Sequence, residues 1–436
     1  MNFVTHLPLY NDWAQPYQNS RDENFREIFV AQSVSPFMYV HVVNAINHIM
    51  AYGVGQLRPL KTTRVRLRVF ACVLGLCVVY YAASELGLHS TLDFSDLKIF
   101  EAQALFLDDL SLIAANISLP STAVGRVPEG GALAPTLALT TDGYTHPSVK
   151  YFPGGWNGYE FWMAVSPYWG PAADSQYENP HIFCSHDGKT WIEPHGIVNP
   201  LALPNPHPSD GYLSDPHLEL DEDGYLYCFF RGNGNEYGGR GIYYRKSRDG
   251  VIWYPTVQLY TTVSLVSVDK DNLVLSPTYI KDGNIYNEYV VVRSSGTGLS
   301  IPPQKNQSET FVFRRLSKSL TSFGEYDLTQ IVNFNSRPWG AGSDPWHLNM
   351  CKIGNLWVML LCTGPVGVSS GGTMYLSYSK DGWNFDVLEA PLFSHGTYRS
   401  AIVPISVVGN NVDFYVYQAG IEWGRISLYR LTLTLL

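Results

Sequence analysis

Charge is scarce in this sequence. Only 15% of its 436 residues are Asp, Glu, Lys or Arg, and the net charge is −9. No block of like charge stands out, which excludes an acidic or basic interaction tail. The negative balance argues against a nucleic-acid partner, whose phosphates require Lys and Arg. Metal-ligand spacing is also missing. The six cysteines, at 72, 77, 184, 228, 351 and 362, form no CxxC pair, and no acidic loop has the oxygen-ligand spacing of an EF-hand. All six are read as reduced core residues, and no metal or cofactor is expected. The start, "MNFVTHLPLYNDW", lacks a basic segment followed by an apolar run, so no secretory signal is read there. No membrane span is read either. The apolar run 69–83 has 15 residues, short of the ~20 a helix needs to cross the hydrocarbon core. It follows "TTRVRLR", where Arg64, Arg66 and Arg68 alternate with Val65 and Leu67, a strand pattern.

Apolar and aromatic residues are plentiful. Hydrophobic residues make up 45%, a globular composition, and aromatics 14%, including 29 Tyr and 11 Trp. Such a stock suits β-strands and sugar-stacking surfaces equally. Residues 1–58 form an arm with one helical pattern, Phe37, Val40, Val43, Ile46 and Met50, opened by Pro36 and stopped by Gly53. Residues 59–120 read as a small β-domain, with strands expected at 62–74, 76–83, 97–107 and 110–118, and the Pro/Gly/Ala-rich segment 121–139 as a linker.

From 140 to 436 a unit repeats. "THPSVKYF", "SDPHLELD", "LSPTYIKD", "SDPWHLNM" and the Pro-less "YRSAIVPI" open successive units at 146, 215, 276, 344 and 398, spaced by 69, 61, 68 and 54 residues. A Gly turn and an aromatic strand follow each opening. At Gly354-Asn355 a two-residue turn would pair Cys351 with Val358. Three units add the phrase S-x-D-G-x-x-[WF], at 185–191, 247–253 and 379–385. Its Asp-Gly supplies a tight turn with positive φ at Gly, and its aromatic packs beneath the next strand. Repeats of roughly 60 residues with about four strands each are propeller blades. The expected fold is all-β: a C-terminal five-bladed β-propeller preceded by a small helix-plus-β attachment region.

"SDPHLELDEDGYLYCFF" resembles the second-blade signature of five-bladed glycoside hydrolases of the family forty-three type. The resemblance implies a general base before Pro in blade one, an acid-tuning Asp before Pro in blade two and an acidic Glu in blade three. Here Asp215 matches the tuning Asp. His146 stands at the base position, and Leu275 and Ser276 stand where the acid would be. Asp344 and Glu178, each next to a Pro or Asn-Pro, are the carboxylates that could replace the missing pair. Trp169, Trp339 and Trp346 are candidate sugar-stacking residues, and His217, His347 and Arg399 candidate hydroxyl or carboxylate ligands. The stretch 146–169 followed by 178–191 is similar to segments in structural proteins of tailed bacteriophages, where a propeller meets the host surface. That resemblance implies placement on a virion appendage (otherwise the extracellular space), with residues 1–120 binding other virion proteins or oligomerising the chain. Three readings stand open: a host-glycan receptor-binding module, a glycoside hydrolase or depolymerase with a rearranged acid/base pair, and a purely structural virion protein. The missing Glu and missing first Asp favour the first.

Overall fold

A computed structural model describes residues 105–115, 117, 119, 143–167, 178–203, 211–234, 241–261, 273–293, 310–324, 328–366, 372–420 and 425–435. The expected helix of the arm, the run 69–83, the linker, Cys72, Cys77 and Trp169 lie outside them.

The described strands form five sheets, the blades of a five-bladed β-propeller. β1 (Leu105–Ala114) comes first in the chain. Blade one holds β2 (Tyr144–Trp156), β3 (Tyr159–Pro167) and β4 (His181–Ser185). Blade two holds β5 (Gly211–Leu220), β6 (Leu226–Gly234), β7 (Gly241–Ser247) and β8 (Val257–Thr261). Blade three holds β9 (Leu273–Asp282), β10 (Ile285–Arg293) and β11 (Thr310–Ser317). Blade four adds the short β12 (Asn333–Phe334) at the edge of β13 (Ser343–Ile353), β14 (Leu356–Pro365), β15 (Thr373–Ser379) and β16 (Asn384–Val387). Blade five holds β17 (Ala401–Val408), β18 (Asn411–Ala419) and β19 (Ile426–Leu435). Among the described residues no helix is long and apolar enough to cross a membrane.

β1 runs unbroken across the expected gap between the strands at 97–107 and 110–118, and pairs antiparallel with β19, from Leu105 opposite Leu435 to Ala114 opposite Leu428. It is the outermost strand of blade five, so chain from before the linker joins the last blade. Blade five then no longer ends in the unpaired strand edge that β19 would otherwise present.

Both faces of each blade are covered by neighbouring blades, so middle strands read as unbroken apolar runs. In β14, Leu356, Val358, Leu360 and Cys362 face one interblade cluster while Trp357, Met359 and Leu361 face the next. Five such clusters fill the interfaces among the described residues. Cys351 lies opposite Val358, as the Gly354-Asn355 turn requires. Cys184, Cys228, Cys351 and Cys362 are free and buried.

The repeated S-x-D-G-x-x-[WF] phrase is a staple between blades. Asp187, Asp249 and Asp381 each accept two backbone N–H groups two and three residues on, and each accepts a bond from the Ser of its phrase. Gly188, Gly250 and Gly382 take φ of 71°, 74° and 71°. Each glycine then meets an aromatic of the preceding blade. Tyr417 donates to the Gly188 carbonyl, Tyr289 donates to that of Gly382, and the Trp162 ring lies against Gly250. A Cβ at Gly250 would come within 2.2 Å of that ring. Gly250→Ala combines this clash with left-handed strain, so it is expected to cost on the order of 3 kcal/mol. Chemical denaturation would show this as a lowered midpoint, and an unchanged midpoint would contradict the staple.

Candidate active site

The inner strands of blades one, two and three each bend at an X-Pro pair. His146, Asp215 and Ser276 adopt φ of 56°, 55° and 51°. The ladders skip there, between Thr145 and Ser148, between Ser214 and His217, and opposite Tyr289 to Val291. A bulge needs no donor from the extra residue, which is why Pro is tolerated inside these strands. It also turns one side chain per blade out of the alternation.

Hydrogen bonds between blades fix the equivalent positions. Ser148 Oγ accepts from Leu218 N, His217 Nε2 from Tyr279 N, and Asn349 Oδ1 from Ile402 N. In blades one and two each acceptor lies two residues after the bend and each donor three residues after the bend of the next blade, and the Asn349–Ile402 bond carries the same offsets to His347 and Arg399. The equivalent positions are therefore His146, Asp215, Ser276, His347 and Arg399. This corrects the sequence register. The blade-four position is His347, three residues beyond Asp344, and the blade-five position is Arg399, one beyond Tyr398. Asp344 lies at the start of β13, opposite Gly364.

The five residues meet. His146 Nδ1 is 3.5 Å and His347 Nδ1 3.7 Å from Asp215 Oδ1. The other carboxylate oxygen, Oδ2, accepts from Arg231 Nε at 3.0 Å and from Ser276 N at 3.2 Å. Ser276 Oγ lies 2.6 Å from His347 Nδ1. Glu178 Oε1 is 3.0 Å from His146 Nδ1 and accepts from Ser214 Oγ at 2.5 Å. Tyr398 stacks on His146 and meets His347 edge-on, with centroids 4.9 and 4.5 Å away. Arg399 donates to the carbonyls of Pro216, Pro277 and Leu348, which immediately follow the bends of blades two, three and four. It ties blades together and is engaged by backbone rather than free for a ligand.

Except for the partly buried Tyr398, all of this is buried, with Asp215 and Arg399 at 0% exposure and His146 at 2%. Burial opposes ionisation of Asp215, but His146, Arg231, His347 and Arg399 around it outweigh that and hold its carboxyl well below the usual range. Burial pushes His347 well down even though Asp215 pulls it up. Burial, Arg399 and Lys150 push His217 down in the same direction. Burial lowers Arg399 to about 10, which still leaves it charged.

These residues fit a divalent cation, which sequence spacing did not reveal. His146, Asp215 and His347 each offer a donor atom, all within 4.8 Å of one another. Ligands at ~2.0–2.2 Å from a shared ion lie at comparable separations. Asp215 Oδ1 is buried without a hydrogen-bond partner, while Oδ2 is held in place. Two imidazoles and an anchored carboxylate are a donor set of zinc, manganese or iron sites.

The other expected site residues fall elsewhere. His217 bonds Tyr279 through Nε2, a tie between blades two and three. Trp346 is 6% exposed and packs in the blade three–four core, and Trp339 packs against the same core on Phe334 and Tyr375. Trp346 therefore offers no open face for sugar stacking, and Trp339 is only partly buried. Sequence reasoning missed Ser214, Arg231 and Tyr398 as parts of the site.

No family model matches the chain. A thermostable family-43 glycoside hydrolase has TM-score 0.45 at 10% identity, covering 66% of this chain and 88% of that one. The chain is also similar to a curated Flavonifractor plautii protein, the "A type blood N-acetyl-alpha-D-galactosamine deacetylase", at 27% identity over 290 residues, 59% of this chain. It spans 36% of that relative's length. The crystal structure of an N-acetylgalactosamine deacetylase from F. plautii, in complex with blood group B trisaccharide, has TM-score 0.58 at 20% identity. That match covers 74% of this chain and 95% of that chain.

Proposed function

We propose that the propeller is a divalent-metal-dependent N-deacetylase acting on glycans that carry N-acetylhexosamine. The observation that carries this reading is the buried His146–Asp215–His347 cluster bordered by Glu178. A divalent cation bound there would polarise the acetamide carbonyl and acidify a water. The chain's own residues do the rest. Glu178, fixed by Ser214, accepts the proton of the attacking water and passes it to the departing nitrogen. Arg231 and the Ser276 amide hold Asp215 so that Oδ1 faces the two imidazoles. Similarity to a protein named as an N-acetyl-galactosamine deacetylase supports the substrate class.

Glycosidic cleavage is the weaker enzymatic reading. It needs one carboxyl to protonate the leaving oxygen and another to activate water or attack. The blade-three position offers only Ser276, and Asp215 is committed to Arg231 and Ser276. A binding-only receptor module is weaker still, because the expected stacking residue Trp346 is packed into the core and Trp339 packs against it. The virion setting rests on the phage resemblance alone and finds no support in the comparisons. It remains a separate proposal, tested by immunodetection of the protein on purified particles.

Oligosaccharides ending in N-acetylgalactosamine or N-acetylglucosamine should release acetate without new reducing ends. EDTA should stop the reaction and zinc or manganese restore it. New reducing ends, or no acetate from any of these glycans, would overturn the proposal.

A further inference from the structure

Arg231 reaches the site from the second strand of its blade. It lies opposite Ser214 in the β5–β6 ladder, next to the bend at Asp215. It is 6% exposed. Its guanidinium is spent unevenly. Nε donates to Asp215 Oδ2, and the group lies over the Tyr212 ring, 5.2 Å from its centroid. Nη1 is buried and has no hydrogen-bond partner. The carboxylate it holds by Oδ2 faces His146 and His347 through Oδ1, so the group borders the cluster. A permanently charged donor left unpaired in a dry site is unfavourable, and Nε alone would have sufficed to hold Asp215.

We infer that Arg231 Nη1 is the anchor for the acyl oxygen: the acetamide carbonyl of the substrate, and then the carboxylate of the acetate left behind. This rests on the deacetylase reading. In that reaction water adds its oxygen to the acetyl carbon and the C–N bond breaks. The C–N electron pair stays on nitrogen, which takes the proton carried by Glu178. The acyl oxygen gains negative charge as the tetrahedral adduct forms and keeps a share of it in acetate. A fixed N–H aimed at that oxygen stabilises the adduct more than the neutral amide. Acetate is therefore expected to bind as a product inhibitor through Arg231, and acids with longer acyl chains to bind through the same oxygen.

The test is titration of the full-length, zinc-loaded protein with carbon-13-labelled acetate, followed by NMR, alongside zinc affinity measured by calorimetry. Arg231→Lys keeps a charge and one donor for Asp215 but lacks Nη1. Its acetate affinity should fall roughly tenfold or more, with zinc affinity within a few-fold of wild type. Unchanged acetate affinity would overturn the inference. So would parallel loss of acetate and zinc affinity, which would make Arg231 only a support for Asp215. Should the variant not fold, a wild-type crystal soaked in acetate decides: a carboxylate oxygen within hydrogen-bond distance of Nη1 is expected, and its absence overturns the assignment. The two readings fail differently, since missing acetate release from glycans sinks the deacetylase, whereas unchanged acetate affinity in Arg231→Lys sinks only the anchor.

Discussion

Asp215→Asn is expected to lower divalent-cation affinity by about a hundredfold or more, with acetate release falling in step. Supporting residues one bond further from a metal already cost about 10–100-fold when removed, and Asp215 is a direct donor in the cluster. The amide cannot replace the carboxylate in either orientation. With its oxygen toward Arg231 and Ser276, its NH2 faces the two imidazoles. Turned round, the NH2 opposes the N–H groups of Arg231 and Ser276. The change also leaves Arg231 and Arg399 buried without their shared counter-charge. Removing one partner of a buried ionic group costs about 3–5 kcal/mol, so a lower melting temperature should accompany the lost affinity. Zinc calorimetry separates the two effects when run below the variant's melting temperature. A variant that is folded and binds zinc as tightly as wild type would remove Asp215 from the cation site.

Most of the propeller could be read from repetition. The S-x-D-G-x-x-[WF] phrase carries its own geometry, because Asp, Gly and the buried aromatic each answer a local demand. The X-Pro pairs gave the bends of blades one to three for the same reason: Pro tolerates a bulge that leaves no ladder donor missing. In blade four the same clue misleads. Asp344-Pro345 precedes the bend, Pro345 pairs in register with Thr363, and the ladder skips at Trp346 instead. Another signal held the right answer. "YIKDGN" at 279–284 and "MCKIGN" at 350–355 place Lys281 and Lys352, and hence Ser276 and His347, 71 residues apart. The hairpin turn was the better anchor, because turn chemistry fixes register while a Pro only tolerates one. The cation cluster itself was not legible. Its donors are one side chain from each of three blades, 69 and 132 residues apart, so no local spacing could announce it. Arg231 was hidden for a related reason, since it comes from a second strand and reads in sequence as the end of an aromatic run.

Removal of residues 1–115 is expected to destabilise the propeller far more than removal of residues 1–104. The shorter deletion leaves β1, and with it the closure of blade five. The longer one strips eight paired positions from β19. It also uncovers the core beneath Leu105, which is buried, and beneath Leu107 and Leu110, which pack against the same cluster. Full burial of a Leu side chain contributes about 1.5–3 kcal/mol, so the three together, two of them only partly covered, represent on the order of 5 kcal/mol. That is comparable with the whole stability of many domains, roughly 5–15 kcal/mol. β19 would then be an exposed edge carrying the apolar residues Leu428, Leu431, Leu433 and Leu435, all otherwise buried, and such an edge recruits other chains. The 105–436 protein should melt cooperatively near the full-length temperature, while the 116–436 protein should melt far lower or sediment as aggregate. Equal melting of the two deletions would show that blade five does not depend on β1.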